Sequence, residues 1–447
     1  MNIIRRKILP ASVCAALAFG TGSAMADELS DLKAEIQAQR AMMDAQKARL
    51  ESLERKLEAV TSAPPPAATP AATTTAMPGG FGAPGEGYAF HITPQDVVSV
   101  YGLLDLTGIA RDHATASGSR SYNMEIGWFS GSRWGITGLH DLGNNRGRAI
   151  FKLESEYEIP TGSEDTPGVL FNRDAWLGYE SDTFGKLTFG RQNALPRDFS
   201  GIYGDPYTNA KVTTEEGGYT NSNNFKQLIY YAASATGTRY DRGVVWKKDF
   251  GGFVAGLAYQ FGGVAGNNEE GASEAIALGY NGAGDVFHLA GYYTQFQVGG
   301  FDHKDWSVGG NVAFGPMVRV YAGWYKDDTQ NPAPFAKRDD HAWTLSTKFT
   351  PAGPTDFELG YQVLHAEHAG TNAAGNVINP YANSATIKGT ATGDKKTLYG
   401  SMFYHFDRRF EVYLTADYAK LTGGYKVGSF NGFTSQTEIG VGSRFRF

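Results

Sequence analysis

The chain has 447 residues, with 40 basic and 46 acidic side chains, so its formal net charge is −6. This slightly acidic balance gives no argument for a nucleic-acid partner. Beyond the first 26 residues, no apolar run reaches the length of about 18 residues that a membrane-spanning helix needs, so helical spans are excluded. Aromatic residues make up 13% of the chain and glycine occurs 57 times, a composition typical of strands and tight turns.

The first 26 residues have the pattern of a secretory signal peptide. Basic residues occupy 5–7, an apolar stretch fills 8–19, and small residues at 24–26 predict cleavage after Ala26. An uncleaved anchor is the alternative, while a lipoprotein modified at Cys14 is disfavoured by the neighbouring residues. Cys14 is the only cysteine, so the mature chain would contain no disulfide although it enters an oxidising compartment. We therefore expect its stability to come from elsewhere, such as a closed hydrogen-bonded sheet.

Residues 27–60 predict a periplasmic α-helical coiled coil. The segment lacks glycine and proline and is rich in helix-forming residues. Two glutamines within the predicted seam would weaken packing while fixing the register, and the helix would reach roughly 50 Å at about 1.5 Å per residue. A single amphipathic helix packed against a core is the alternative. The residues that follow the heptad spacing of three and four are Leu29, Leu32, Ile36, Gln39, Met43, Gln46, Leu50, Leu53, Leu57 and Val60.

Residues 61–87 form a linker that is rich in proline, alanine, threonine and glycine. Nothing in this segment can bury a core, so we expect it to be extended and mobile. It joins the predicted coiled coil to a third region, 88–447, in which short alternating runs are separated by polar or glycine-rich breaks.

Read at a period of two residues, this third region contains sixteen candidate strands. Short connections, such as DTFG at 182–185, alternate with long ones, such as 193–236 and 367–394. An even number of strands with short turns at one end and long loops at the other is typical of a bacterial outer-membrane barrel. The strands are predicted at 97–110, 123–138, 147–158, 171–181, 186–192, 237–249, 253–262, 272–281, 286–297, 304–314, 318–327, 340–350, 355–366, 395–406, 409–420 and 435–447.

Alternation within the strands predicts which face each residue occupies. In the last strand, Phe445 and Phe447 would face lipid while Arg444 and Arg446 face a water-filled interior. A soluble β-sandwich would show the same alternation, but sixteen strands with aromatic residues near their ends favour a barrel with two aromatic girdles. The strand-end aromatic residues are Trp134, Tyr157, Trp246, Trp324, Tyr418 and Phe447.

Five parts of the chain carry a likeness to a known family: VSVYGLLDLTG (98–108), GSRWGITGLHDLGNN (131–145), AIFKLESEYE (149–158), LFNRDAWLGYESDTFGKLTFGRQN (170–193) and the terminal Phe447. They resemble the general porins of Gram-negative outer membranes, most closely those of β-proteobacterial type. The likeness runs from about Tyr88 to the end of the chain and is strongest in the first five predicted strands. The N-terminal coiled coil departs from the ordinary general porin, which begins almost at its first strand.

The resemblance implies an all-β fold, namely a sixteen-stranded antiparallel transmembrane barrel. It also implies that three such barrels form a homotrimer in the outer membrane. Each barrel would be narrowed by its third extracellular loop folded inward, and residues 194–236 have the length and position of that loop, with GDPY at 204–207 similar to part of its pattern. It further implies passive diffusion of small hydrophilic solutes and ions through a water-filled channel. Lipopolysaccharide contact and recognition of Phe447 by the barrel assembly machinery are also implied, whereas enzyme activity, a cofactor and a metal are not.

A pore selects its solutes when charges of opposite sign face each other across a narrow water-filled gap. Strand parity points several bases inward, and similar positions in the family form a basic ladder on the wall. The inward-facing bases are Arg133, Lys152, Arg173 and Arg239. The expected opposing acids are Glu154 on the wall and Asp198, Asp205, Glu215 and Glu216 in the loop 194–236. Tyr101 and Asp105 also point inward from the first strand. For each residue the alternative is a solvated lumen charge without a special role.

Arg191 falls on the outward face by strand parity, beside Leu187 and Phe189. A lone arginine that faces lipid costs about 2–4 kcal/mol at mid-depth. Together with the family likeness, this cost predicts that Arg191 lies at the trimer axis, paired with Glu164 or Asp165 of a neighbouring subunit.

The sequence leaves other functions open. The arginine ladder would suit a porin that is selective for small anionic organic solutes. The coiled coil would suit an outer-membrane anchor or tether with a periplasmic partner. An enzyme is the least supported alternative because no nucleophile–base pair stands out, and His365, Glu367 and His368 form only a weak metal pattern. Wall bases and loop acids nearly balance, so the sign of ion selectivity is not predicted.

Overall fold

The computed structural model describes residues 37, 40, 44, 47 and 51 and the ranges 87–204, 206, 210–217, 233–371, 389–425 and 430–447. The chain divides into two compact units, Met1–Thr75 and Ala76–Phe447. In the first unit, the five described residues are helical and exposed. The predicted signal peptide at 1–26 lies outside the described residues, as do most of the predicted coiled coil and linker, so these three assignments stay predictions.

The described part of the second unit contains nineteen strands, one α-helix named α1 (Leu195–Gly204), and a 3-10 turn at Ala283–Asp285. Among all described residues, no helix is long and apolar enough to span a membrane. The strands are β1 (Tyr88–His91), β2 (Asp96–Arg111), β3 (Ser121–Ile126), β4 (Arg133–Asp141), β5 (Arg148–Glu158), β6 (Ser163–Glu164), β7 (Asp174–Ser181), β8 (Gly185–Asn193), β9 (Arg239–Asp249), β10 (Phe253–Gln260), β11 (Ser273–Asn281), β12 (Phe287–Val298), β13 (Phe301–Phe314), β14 (Val318–Thr329), β15 (Arg338–Phe349), β16 (Thr355–Gly370), β17 (Gly389–His405), β18 (Phe410–Gly423) and β19 (Ser435–Arg446).

These strands form one antiparallel sheet that closes on itself, because β19 pairs with both β18 and β2. Two of the barrel strands each consist of two observed strands. β3 and β4 form one of them, because β2 pairs with β4 over its first half and with β3 over its second half. β1 and β19 form the other, because β1 pairs with β2 directly beyond the end of β19. β6 is a two-residue pairing beside β5. The result is a sixteen-stranded barrel, which confirms the prediction, and every predicted strand overlaps an observed one.

The distribution of apolar side chains is the reverse of that in a water-soluble protein. Along β15, Leu345 is 51% exposed on the outer face, while the neighbouring Thr344 and Ser346 are buried on the inner face. The same alternation of exposed apolar and buried polar residues recurs along β10 to β19. Because an apolar outer band of this kind is stable against lipid hydrocarbon and not against water, the barrel is a transmembrane one.

Replacing Leu345 with arginine is expected to lower the free energy of unfolding by about 2–4 kcal/mol, because the charge would face the hydrocarbon near the middle of β15. The measurement is a denaturant titration of the refolded barrel in lipid vesicles. Leu345→Met is the matched control and should leave the free energy nearly unchanged. Equal stability of Leu345→Arg and the wild type would contradict the assignment of this face to lipid.

The wall is interrupted between β3 and β4, where the continuous strand predicted at 123–138 is wrong across residues 127–132. This segment turns inward and buries Trp128 and Phe129 against an aromatic cluster that includes Phe403. Asp105 explains the interruption, because its carboxylate accepts a hydrogen bond from the backbone nitrogen of Ser130 at 3.0 Å. A side chain thus replaces a partner in the strand ladder, an exchange that an alternating sequence pattern does not reveal.

Candidate functional site

Helix α1 begins directly after β8 and crosses the interior of the barrel. The sequence of α1 is amphipathic, yet all ten of its residues are buried, because the barrel encloses both faces of the helix. The helix packs against β10 to β14. Near its end, Tyr203 donates a hydrogen bond to Ser307 Oγ at 2.8 Å, and its ring lies where a Cβ on Gly309 or Gly323 would stand. The inward fold predicted for the third loop is therefore present in the first part of that loop, which is this helix.

After α1, the described segment 210–217 runs back along the interior. The side chain of Asn311 donates hydrogen bonds to the carbonyls of Ile202 and Ala210, both at 2.8 Å. Asn281 is paired twice with the backbone of Val212, at 3.1 and 2.8 Å. Because neutral amides of the wall hold the loop backbone at these points, the path of the loop across the interior does not depend on charge alone.

The acids of the loop reach the opposite wall, where three lysines bind them directly. Lys152 Nζ lies 2.6 Å from Glu216 Oε2, Lys186 Nζ lies 2.7 Å from Glu215 Oε2, and Lys247 Nζ lies 2.5 Å from Asp198 Oδ2. The name "loop clamp" is used below for these six residues. The sequence predicted that loop acids would face wall bases across a water-filled gap. The clamp corrects this expectation, since acids and bases are in contact.

The environment of the clamp favours the ionised forms of Glu215 and Glu216. Burial alone would raise the pKa of Glu215, but the charge and hydrogen bond of Lys186 outweigh burial, so the pKa is lowered. Glu216 shows the same balance between burial and Lys152, and its pKa is also lowered. A lowered pKa in the folded state means that the contribution of each carboxylate is complete above the usual glutamate pKa and is lost only as the pH falls well below it.

We expect the contribution of Glu215 and Glu216 to the single-channel conductance to stay constant between about pH 7 and about pH 4.5, because both carboxylates remain ionised across this range. Well below this range, protonation should release the loop segment and change the conductance. The measurement is a conductance titration in planar bilayers, with Glu215→Gln/Glu216→Gln as the control that should lack the low-pH change at this site. A conductance change centred near the ordinary glutamate pKa would contradict the predicted strength of the clamp.

Glu154 lies among the bases of its own wall rather than opposite them. Its carboxylate accepts hydrogen bonds from Arg173 Nε at 2.5 Å and Tyr101 Oη at 2.6 Å, and an oxygen lies 3.9 Å from an Arg133 nitrogen. Arg173 also pairs with Glu156. The predicted basic ladder is therefore neutralised locally, because inward-facing carboxylates of neighbouring strands stand between its members.

Tyr101 and Asp105 point inward as predicted, but both are enclosed. Tyr101 is held by Glu154, and Asp105 accepts hydrogen bonds from Tyr413 Oη at 2.6 Å and from the inward-turning segment 127–132. With 1% and 0% of their surfaces exposed, they support the wall rather than line an open surface.

Of the four predicted wall bases, Arg239 has the fewest polar contacts among the described residues. Its Nε atom lies 3.8 Å from Asp174 Oδ1, and its Nε and Nη2 atoms have no hydrogen-bond partner among the described residues. The positive charges of Arg173 and Arg197 act on it from nearby. The guanidinium of Arg239 is therefore the part of this wall at which positive charge is least compensated.

Lys186 and Lys247 are functional residues that the sequence analysis missed, together with their neighbour Asp174, which lies 2.9 Å from Lys152. Strand parity could have found the two lysines, since each alternates with outward apolar residues in its strand. Their acidic partners could not have been assigned in this way, because those partners belong to the loop.

Three predicted trimer-interface residues have partners within their own chain. Arg191 donates to the Asn172 carbonyl at 2.7 Å and pairs with Asp241. Glu164 accepts a hydrogen bond from the Gly168 nitrogen at 2.7 Å, and Asp165 accepts one from Asn172 at 3.1 Å. Their role between subunits stays a prediction. Asp205, the remaining predicted loop acid, lies outside the described residues.

Phe447 completes the closure of the barrel. Its backbone nitrogen donates to the Gly102 carbonyl at 3.0 Å, and the Gly102 nitrogen donates to the Phe447 carbonyl at 2.9 Å. Its ring occupies the space where a Cβ on Gly102 would lie. In the described part of the chain, no three histidine, cysteine, aspartate or glutamate side chains are arranged to hold a metal ion.

Comparison with known proteins agrees with this architecture. The sequence profile described as Gram-negative porin matches residues 13–424. An outer membrane porin protein of Bordetella pertussis (strain Tohama I) is 26% identical over 407 residues, which cover 81% of this chain and 97% of that protein.

Two solved structures show the same fold. The anion-selective porin from Comamonas acidovorans superposes with a TM-score of 0.60 at 19% identity, covering 79% of this chain and 100% of that chain. The in-vitro folded outer membrane protein OmpT of Vibrio cholerae, in its trimer form, superposes with a TM-score of 0.54 at 16% identity, with coverage of 79% and 100%. Because the family profile spans most of the chain and the barrel has the porin architecture, the chain belongs to the Gram-negative porin family and forms an outer-membrane channel.

Proposed function

We propose that this porin passes small hydrophilic solutes and ions of either sign down their gradients, with weak charge preference. The loop clamp is the observation that supports this proposal. Its three acids and three lysines are paired at 2.5 to 2.7 Å. A contact pair acts at a distance as a dipole, so its field in the water of the channel is much weaker than that of separated charges. The loop then limits the size of solutes more than their charge.

The reversal potential of the refolded protein in a planar bilayer under a potassium chloride gradient tests this proposal. The expected result is a reversal potential close to zero. The matched control removes one contact pair as a unit, Lys186→Met/Glu215→Gln, and should leave the potential close to the wild-type value because no net charge is added. A strongly selective wild type would contradict weak charge preference.

Anion preference is the second candidate function, and Arg239 favours it. This guanidinium is under-compensated and stands beside two further arginines. One of the structures with the same fold is named an anion-selective porin, although that likeness concerns the fold alone. If Arg239 sets the selectivity, Arg239→Gln shifts the reversal potential toward cations, while Arg173→Ala, whose charge is already paired, shifts it less. Equal, unchanged potentials in both variants would exclude this role.

We also propose that the chain assembles as a homotrimer, in which Arg191 lies close to the threefold axis. The support is indirect: one structure with this fold is described in a trimer form, and the heptad pattern at 27–60 would suit a matching three-stranded coiled coil. Mass determination of the detergent-solubilised protein tests this, with a variant lacking residues 27–87 as the comparison. If the wild type and the truncated variant are both trimeric, the subunit contacts lie in the barrel. If both proteins have the mass of a monomer, the homotrimer is excluded.

A further inference from the structure

Two cavities on the outer surface of the barrel join to form one groove. The first has a volume of about 460 Å³ and lies against β9 to β12. The second has a volume of about 330 Å³ and lies against β10 to β13 and the connection 261–272. Because Tyr259, Glu274 and Gln295 line both cavities, the two are continuous, and together they are called the outer groove below.

Strand register arranges the outward-facing side chains of the outer groove in two rows. The first row is apolar, and its members lie directly opposite one another on β9 to β12: Trp246, Leu257, Ile276 and Tyr293. The second row lies two residues away along each strand and is polar except at β9: Val244, Tyr259, Glu274, Gln295 and Lys304. Leu257 is 50% exposed and Ile276 is 55% exposed. The groove is therefore apolar along one side and polar along the other.

The polar row lies at the extracellular end of the strands. The connections 250–252, 282–286 and 315–317 are short, whereas 261–272 and 330–337, at the opposite end, are longer. In outer-membrane barrels the short turns are periplasmic and the long loops are extracellular. The apolar row therefore faces the hydrocarbon, and the polar row lies at the level of the lipid head groups in the outer leaflet. Tyr259 and Tyr293 suit this boundary, because tyrosine combines an apolar ring with a polar hydroxyl.

The charges of the polar part favour a particular head group. Its strands contribute two carboxylates, Glu274 and Asp302, and one base, Lys304, and acids outnumber bases in the whole lining. Glu274 accepts a hydrogen bond from Gln295 at 3.0 Å and Asp302 accepts one from Gln297 at 2.9 Å. Two carboxylates beside one ammonium complement a zwitterion, in which a donor-rich cation lies close to an anion. A phosphate bridged by a metal fits less well, because no three ligating side chains of the described residues are arranged to hold a metal ion.

We propose that the outer groove binds a phospholipid of the outer leaflet whose head group is phosphoethanolamine. The carboxylates of Glu274 and Asp302 bind its ammonium group, and Lys304 binds its phosphate. One acyl chain lies along the apolar row, where it covers Leu257 and Ile276. The site goes beyond the passage of solutes, because it lies on the lipid side of the barrel wall. It differs from general contact with the bilayer in that it selects one head group.

The test is native mass spectrometry of the refolded full-length protein in detergent, titrated with phosphatidylethanolamine or with phosphatidylglycerol that carries the same acyl chains. The wild type should bind phosphatidylethanolamine at least about tenfold more tightly, as expected for one additional hydrogen bond to a charged group. Glu274→Gln/Asp302→Asn, which preserves shape and removes both carboxylate charges, should abolish this preference. Ile276→Trp, whose larger ring fills the apolar part of the groove, should weaken the binding of both lipids.

Glu367→Gln and Leu359→Trp are the matched controls, because both residues belong to the outer face of β16 and line neither cavity. They should bind both lipids as the wild type does. Equal binding of the two lipids by the wild type, or an unchanged preference in Glu274→Gln/Asp302→Asn, would overturn the proposed site. Binding of neither lipid, as expected if a neighbouring subunit covered the groove, would overturn it as well. Single-channel conductance of the same samples reports separately on the proposed function, so the two failures are distinguishable.

Discussion

The variant Asp198→Asn/Glu215→Gln/Glu216→Gln is expected to show the largest change in conduction, with a reversal potential shifted strongly toward anions and a noisier, larger single-channel current. These substitutions remove the acidic half of the loop clamp and leave three lysines without their loop partners. Removing one partner of a buried ion pair costs about 3–5 kcal/mol, because the remaining charge stays buried. Residues 213–217 should then detach from the wall.

Planar-bilayer recording of this variant beside the wild type measures both effects. Glu269→Gln is the control, because Glu269 is an exposed residue of the connection between β10 and β11 and has no part in the clamp. It should leave the current noise and the reversal potential close to the wild-type values. If the triple variant conducts with wild-type selectivity and noise, the loop is held by its backbone contacts to Asn281 and Asn311, and the clamp is not what fixes it.

Deletion of Phe447 is expected to abolish the folded barrel. Phe447 exchanges two backbone hydrogen bonds with Gly102 at the seam between the first and last strands. A buried backbone group that loses its partner costs about 1–3 kcal/mol. The ring also fills the space above Gly102. Removal of this one residue therefore opens an edge in a sheet that must be closed.

The measurement is the fraction of refolded protein that resists unfolding in detergent on an unheated gel. Phe447→Leu is the matched control: it keeps both backbone hydrogen bonds and an apolar side chain, so most of the folded fraction should survive. A deletion variant that folds as completely as the wild type would contradict the importance of this closure.

The barrel could be predicted from the sequence because its determinants are local. Alternation at a period of two is visible within each strand, and the turn residues between strands mark their ends. Leu345 and Thr344 illustrate this rule, since Leu345 faces lipid and its neighbour Thr344 faces the interior. The interruption at 127–132 escaped this reasoning, because a distant residue, Asp105, supplies the hydrogen-bond acceptor that replaces a strand partner.

The candidate site was predicted less completely, and the reason is again distance along the chain. Strand parity pointed Lys152 and Arg173 inward, and the family resemblance indicated that the loop folds into the barrel. The contact between Lys152 and Glu216 joins residues that are 64 positions apart. No local pattern specifies such a pairing, because it depends on how far α1 carries the chain before the loop returns. Asp305, Asp327 and Asp340 were not recognised as neighbours for a related reason, since only the strand register places them level on β13, β14 and β15.

The single-channel conductance of the refolded wild-type protein in a planar bilayer tests the central claim most directly. A water-filled channel narrowed by α1 and segment 210–217 should produce discrete current steps that are proportional to voltage near zero and increase in proportion to salt concentration. A barrel that is folded and inserted but carries no such steps would contradict passive diffusion through this porin.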